Sequence, residues 1–179
     1  MENKKLEVEY KMLVTKEELN KLIETYTPIK TINQINHYFD SEPSLYLKGF
    51  ALRIREINNK FIFALKENAH KGLIEYEFEI DSLNINNSKI KKLLNNLGIN
   101  DSLNHIGTLN TIRHIYKDEH GEMCLDINKY NNIIDYEVEY ELFNPEENHL
   151  NHFINLLKVC NITYVKNPLT KLQRLKNAR

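Results

Sequence analysis

A two-residue alternation runs through most of this chain, with charge on one parity and hydrocarbon on the other. Leu6, Val8 and Tyr10 interleave with Glu7, Glu9 and Lys11, and Leu52 and Ile54 with Arg53 and Arg55. Ile74, Tyr76 and Phe78 interleave with Glu75 and Glu77, and Tyr136, Val138 and Tyr140 with Glu137 and Glu139. Successive side chains of a strand point to opposite faces, so each segment reads as a strand with one apolar and one ionic face. Strands are expected at Leu6 to Lys11, Thr31 to Phe39, Ala51 to Ile57, Lys60 to Lys66 and Ile74 to Ile80. Leu109 to Lys117, Glu122 to Tyr130 and Ile133 to Leu142 complete the set, with a further candidate near Ile162 to Val165. Asn58-Asn59 and His120-Gly121 supply two of the turns.

Helical spacing interrupts the strands in a few places. Thr15-Lys16-Glu17-Glu18 is a capping box that opens a helix carrying Leu19, Leu22 and Ile23 and ending before Pro28. Asn87 or Ser88 caps a second helix with Ile90, Leu93, Leu94 and Leu97, closed at Gly98. Asn144-Pro145-Glu146-Glu147 predicts the start of a third helix that leads to Leu150, Phe153, Ile154 and Leu157, and a short basic helix is expected after Pro168.

A sheet with one ionic face is ordinarily a sheet with one face in water. Segregation of sign argues against that here, because Arg53 and Arg55 share one strand while Glu7 with Glu9 and Glu137 with Glu139 form acidic pairs on others. If the amphipathic helices cover the outside of a curved sheet, the ionic faces point inward and line a lumen. Charges facing one another in a lumen need ligands: divalent cations for the carboxylates, and phosphate for the guanidinium and ammonium groups. Only 5 glycines are present and neither glycine-rich nucleotide motif occurs, so side chains must hold any phosphate.

The remaining composition narrows the class. The 179 residues suit one domain spanning 1–179, with 24 Lys plus Arg against 25 Asp plus Glu and a formal charge of −1. That balance gives no global field for a nucleic acid polymer or a membrane. No apolar run approaches the roughly 20 residues of a membrane-spanning helix. Met1-Glu2-Asn3-Lys4-Lys5 does not open a signal peptide, so a cytoplasmic location is expected. Cys124 and Cys160 read as reduced core residues, and Tyr38, Tyr76, Tyr136 and Tyr140 as packing between sheet and helices. The chain has 7 His, of which His37, His105 and His114 are scattered without ligand spacing, and no chemistry is assigned to them.

These residues together resemble the CYTH-type triphosphate tunnel metalloenzymes. Glu7-Val8-Glu9-Tyr10-Lys11 matches the E-x-E-x-K signature of that family, and Leu52-Arg53-Ile54-Arg55 looks like its L-R-I-R strand. Leu65-Lys66, Thr111-x-Arg113, Leu125-Asp126 and Glu137-Val138-Glu139 resemble its later strands in the same order, so the likeness runs from Glu7 to about Arg174. The resemblance implies an α+β fold: an antiparallel eight-stranded β-barrel holding a triphosphate, helices packed outside, and Mg2+ or Mn2+ required.

Carried onto this chain, the resemblance makes Glu7, Glu9, Glu137 and Glu139 the metal-side residues, since hard oxygen ligands suit these ions. Lys11, Arg53, Arg55, Lys66 and Arg113 form the phosphate side, joined by Lys171 and Arg174 from the closing basic segment. Catalytic roles fall to Glu137, Glu139 and Lys11; one of the two glutamates orients the attacking water, and the sequence leaves open which. Glu75, Glu77 and Asp126 are further candidates, with Glu79 making the register of the first two ambiguous. The expected activity is hydrolysis of a triphosphate, foremost inorganic tripolyphosphate to pyrophosphate and phosphate, by a monomer or homodimer. The alternatives are a class IV-type adenylate cyclase, a thiamine or nucleoside triphosphatase, and a noncatalytic polyphosphate-binding module.

Overall fold

The structure, a computed structural model, describes residues 3–167 and 169–178. Two short strands, β1 (Asn3–Glu7) and β2 (Glu9–Val14), are halves of one N-terminal segment interrupted at Val8. They are followed by α1 (Lys16–Tyr26), β3 (Lys30–Asp40), β4 (Phe50–Ile57), β5 (Lys60–Asn68), β6 (Leu73–Ile80) and α2 (Ser88–Asn96). β7 (Asn104–Lys117), β8 (Gly121–Tyr130), β9 (Ile133–Leu142), α3 (Leu150–Val159) and α4 (Lys171–Asn177) complete the described residues.

All the strand pairings are antiparallel, in the order β1-β6-β5-β4-β3-β7-β8-β9-β2. Both ends of that order belong to the N-terminal segment. Its first half pairs with β6, ending at Glu7 opposite Leu73, and its second half pairs with β9, beginning at Glu9 opposite Glu141. Between them the Val8 carbonyl accepts from the Leu142 amide at 3.0 Å. The sheet is thus curled on itself with the N-terminal segment as its seam, and counting that segment as one strand gives the expected eight.

The apolar parity lies under the helices. Leu52, Ile54, Phe63, Leu65, Tyr76 and Phe78 form one buried cluster with Ile90, Leu93 and Leu94 of α2. Met12, Met123, Leu125, Val138 and Tyr140 form a second with Leu19 and Leu22 of α1 and with Phe153 and Leu157 of α3. Full burial of each such aliphatic side chain is worth roughly 1.5–3 kcal/mol, which holds the helices outside and turns the ionic parity inward.

α4 lies elsewhere. Its Leu172 and Leu175 pack on Tyr38, Leu109 and Tyr130, which share the parity of the ionic side chains, so this helix occupies one end of the lumen. Tyr38 is therefore corrected: it faces the lumen rather than an outer helix, because β3 presents its even positions inward.

The third helix begins later than the sequence suggested. Asn144 instead closes a separate turn, its Oδ1 accepting from the Glu146 amide at 3.2 Å and its Nδ2 donating to Glu147 Oε1 at 2.8 Å. Asn148 then accepts from the Leu150 amide at 3.1 Å where α3 starts. Residues 162–167 join no strand; Asn167 ties them to the sheet, its amide donating to the Lys11 carbonyl at 3.0 Å and its Nδ2 to Glu137 Oε1 at 3.3 Å. Asn58 and Asn59 both have positive φ, 49° and 60°, as the two-residue turn between β4 and β5 requires.

Gly72 makes the seam possible. It has φ +72°, and a Cβ there would fall on the Glu7 carbonyl oxygen. Gly72→Ala is expected to destabilise by about 1–3 kcal/mol through strain at this φ and displacement of the Glu7 backbone. Urea denaturation reads the loss; an unchanged midpoint would show that the seam tolerates the shift.

Candidate active site

The lumen contains a cavity of about 300 Å³ into which the β-strands project side chains of alternating positions. Carboxylates cluster where the seam meets β9. Glu7 and Glu9 from the N-terminal segment and Glu139 and Glu141 from β9 all line the cavity, and Lys11 stands opposite Glu139 in the ladder. Cations occupy β4, β5 and β7: Arg53, Arg55, Lys66 and Arg113 line the same space. Glu75 and Glu77 border it from β6.

Contacts between these groups are uneven. Lys66 donates to Glu7, Lys5 to Glu141 at 2.7 Å, and Lys11 to Glu9 at 3.0 Å. The two β4 arginines are held more loosely, Arg53 lying 3.8 Å from Glu75 and Arg55 3.9 Å from Glu77. Glu7 Oε2 and Arg55 Nε are buried and have no hydrogen-bond partner among the described residues. Glu7 and Arg55 both line the cavity, so a carboxylate and a guanidinium that are each incompletely paired border one space.

Electrostatics point the same way. Burial, then the neighbouring Glu139, push the Glu9 carboxyl up, with Lys66 and Lys11 opposing. Glu139 is itself buried, yet Lys171, Arg113 and Lys11 outweigh that burial and hold its carboxyl well below the usual range. Two neighbouring carboxylates that repel each other are the donor set a divalent cation fits, and Glu7 on the same wall adds a third.

Behind the cavity lies a second ionic layer built on α4. Lys171, 9% exposed, donates to Glu137 and to Glu139 (2.6 Å) and lies 3.0 Å from Asp126. Arg174 forks onto Glu137 at 3.0 Å from both terminal nitrogens and reaches Asp135 at 2.8 Å. Arg113 grips Asp126 at 2.7 and 2.6 Å and also donates to Glu139. Asp126, Glu137 and Glu139 each offer an oxygen within 4.8 Å of the others, but these cations stand among them.

Of the residues singled out in the sequence, eleven line the cavity: Glu7, Glu9, Lys11, Arg53, Arg55, Lys66, Glu75, Glu77, Arg113, Glu139 and Lys171. Glu137, Asp126 and Arg174 are not among its lining residues and meet in the layer behind it. The register ambiguity along β6 is one of depth, since Glu75, Glu77 and Glu79 share a parity; Glu75 is buried, whereas Glu79 is exposed and pairs with Lys60. Lys5, Glu141, Gln34, Asn36 and Glu122 also line the cavity. Extending the ionic parity by two residues along β1 and β9 would have found Lys5 and Glu141.

No helix among the described residues is long and apolar enough to cross a membrane. The comparisons with known proteins agree with one another. YjbK of Bacillus subtilis, named as a candidate triphosphatase, is 33% identical over 149 residues, 78% of each chain. The crystal structure of a Bacillus halodurans protein described as a candidate adenylate cyclase superposes with a TM-score of 0.82 at 34% identity, over 96% of this chain and 97% of that one. HpAC1 of Hippeastrum, described as having a dominant triphosphatase activity, shares the fold at 23% identity with a TM-score of 0.76, over 100% of this chain and 97% of its own. Residues 5–170 match the family model of the CYTH domain, and with the curled sheet and its ionic lumen already described, the chain belongs to the CYTH domain family.

Proposed function

We propose that this chain is a divalent-metal-dependent hydrolase of triphosphates, working in the cytoplasm on inorganic tripolyphosphate and releasing pyrophosphate and phosphate. The observation that carries the reading is one cavity lined on one side by Glu7, Glu9 and Glu139 and on the other by Arg53, Arg55, Lys66 and Arg113. Glu7, Glu9 and Glu139 would hold Mg2+ or Mn2+, which when bound offsets phosphate charge and lowers the pKa of a bound water. Arg53, Arg55, Lys66 and Arg113 grip the phosphate chain, since forked guanidinium donors fit phosphate oxygens and four cations offset its several charges.

Glu139 faces the cavity, whereas Glu137 is enclosed by Lys171 and Arg174, so orienting the water belongs to Glu139 and anchoring α4 to Glu137. The water oxygen forms a bond to the terminal phosphorus and gives up a proton to a phosphate oxygen or solvent, while the bridging P–O bond breaks and its electron pair leaves with pyrophosphate. Lys11, 3.0 Å from Glu9, stands ready to stabilise negative charge developing on the phosphate oxygens.

A second reading has an observation of its own. Tyr38, Tyr46 and Phe50 also line the cavity and offer an apolar surface to an organic substituent, as in thiamine triphosphate or ATP. Phosphate release from tripolyphosphate, ATP and thiamine triphosphate, with Mg2+ and with Mn2+, separates the readings. Metal-dependent release fastest on tripolyphosphate is the expected result. Faster turnover of an organic triphosphate would reassign the substrate, cyclic AMP from ATP would make the protein a cyclase, and silence on all three would leave a polyphosphate-binding module.

A further inference from the structure

Three of the chain's seven histidines meet outside the cavity, at a place to which the triphosphatase reading assigns nothing. His120 sits in the turn between β7 and β8, and His149 immediately precedes α3, with Glu147 two residues before it. The His120 and His149 rings stack at 4.0 Å between centroids and 18° between planes, and the His152 ring meets His120 edge-on at 4.8 Å and 80°. One ligand atom from each of His120, Glu147 and His149 lies within 4.8 Å of the other two. None of the three lines the cavity.

We propose that His120, His149 and Glu147 form a binding site for a borderline transition-metal ion of the Zn2+ kind, with a fourth position open to water. Two imidazole nitrogens and one carboxylate oxygen form the donor set that such an ion takes at catalytic and surface sites. The nitrogens also exclude Mg2+ and Ca2+, which prefer all-oxygen shells. Tetrahedral coordination at about 2.1 Å places ligand atoms about 3.4 Å apart, so side-chain rotation alone brings this set to bonding geometry. Glu147 is exposed and both imidazoles are partly exposed, which leaves those rotations free.

The backbone of the turn that carries His120 is held while the ligand side chains stay free to rotate. Asp118 accepts from the backbone amides of His120 (2.8 Å) and Gly121 (3.0 Å), from Tyr140 Oη (2.6 Å) and pairs with His152 Nε2 (2.7 Å), fixing the turn that carries His120. Asn144 Nδ2 orients Glu147 Oε1 at 2.8 Å. Among the described residues no lysine or arginine forms an ion pair with Glu147 or Asp118, whose partners are His149 and His152. Binding would tie the β7–β8 turn to the start of α3.

The test is titration of the full chain with Zn2+ in excess Mg2+, followed by calorimetry, and with Co2+ followed by visible absorption. One ion per chain in the micromolar range is expected, with a Co2+ spectrum of nitrogen and oxygen ligands. His120→Ala and His149→Ala should each weaken binding about 10-fold or more while far-UV circular dichroism and triphosphate hydrolysis stay as they were. Zn2+ uptake that persists unchanged in the double variant His120→Ala/His149→Ala, or no uptake by the unaltered chain, would overturn the proposal and leave the triphosphatase reading untouched.

Discussion

Glu139→Gln is expected to lower metal-dependent triphosphate hydrolysis by about 10²–10⁴-fold while the barrel stays folded. The carboxylate lies in the cavity, where it receives Lys171 at 2.6 Å and a donor from Arg113, and it repels Glu9. Gln keeps the shape but removes the charge that a divalent cation and an oriented water both need. It also frees part of two cations, yet each keeps another partner: Arg113 retains its two bonds to Asp126, and Lys171 retains Glu137. The stability loss should therefore stay near the roughly 1.5–3 kcal/mol of one charged hydrogen bond. Steady-state kinetics at saturating Mg2+ beside urea denaturation read both quantities. Turnover at the rate of the unaltered chain would remove Glu139 from the reaction and pass the water to another carboxylate, with Glu9 the nearest candidate on the same wall.

Much of this site was legible because strand geometry converts spacing into direction. Once Glu7 and Glu9, Arg53 and Arg55, and Glu137 and Glu139 are placed on strands, each pair must share a face, and the amphipathic helices decide which face is covered. What parity cannot give is depth. Glu137 and Glu139 point the same way, yet one is enclosed behind the cavity and the other lines it, because α4 enters the lumen at the level of Glu137 and brings Lys171 and Arg174 with it. The path of a chain end is set by packing of Leu172 and Leu175 on Tyr38, Leu109 and Tyr130, which are far apart in sequence and carry no local signal. The start of α3 is displaced as well: Asn144-Pro145 has the local chemistry of a helix cap, but the turn it forms closes at Glu147, and the helix begins at Leu150, where Phe153 and Leu157 reach the core. The meeting of His120, His149 and His152 was invisible too, since the turn between β7 and β8 and the start of α3 are brought together only by the fold.

Lys171→Met should destabilise the protein by about 3–5 kcal/mol at neutral pH, the usual result of removing one partner from a buried ionic group. The lysine stands among Asp126, Glu137 and Glu139; Asp126 and Glu137 are 0% exposed, and Arg113, Arg174 and Lys11 would remain to offset three carboxylates. The deficit should depend on pH in a definite direction. In the unaltered chain Glu139 titrates well below its ordinary range, so the stability it contributes is present above the unfolded carboxyl pKa and fades as pH falls toward the folded one. Without Lys171 the Glu139 carboxyl takes up its proton at higher pH, so the difference between the two chains should narrow below about pH 5. Urea midpoints at neutral and acid pH test this; a deficit constant with pH would mean that Lys171 acts through packing of its hydrocarbon stem. The consequence reaches the cavity, because α4 is held in the lumen by these charges as much as by Leu172 and Leu175, and Thr170, Lys171 and Leu172 form part of the cavity wall. A helix anchored by ionic pairs to the strand that carries Glu139 therefore fixes that wall of the cavity by charge as well as by hydrocarbon packing.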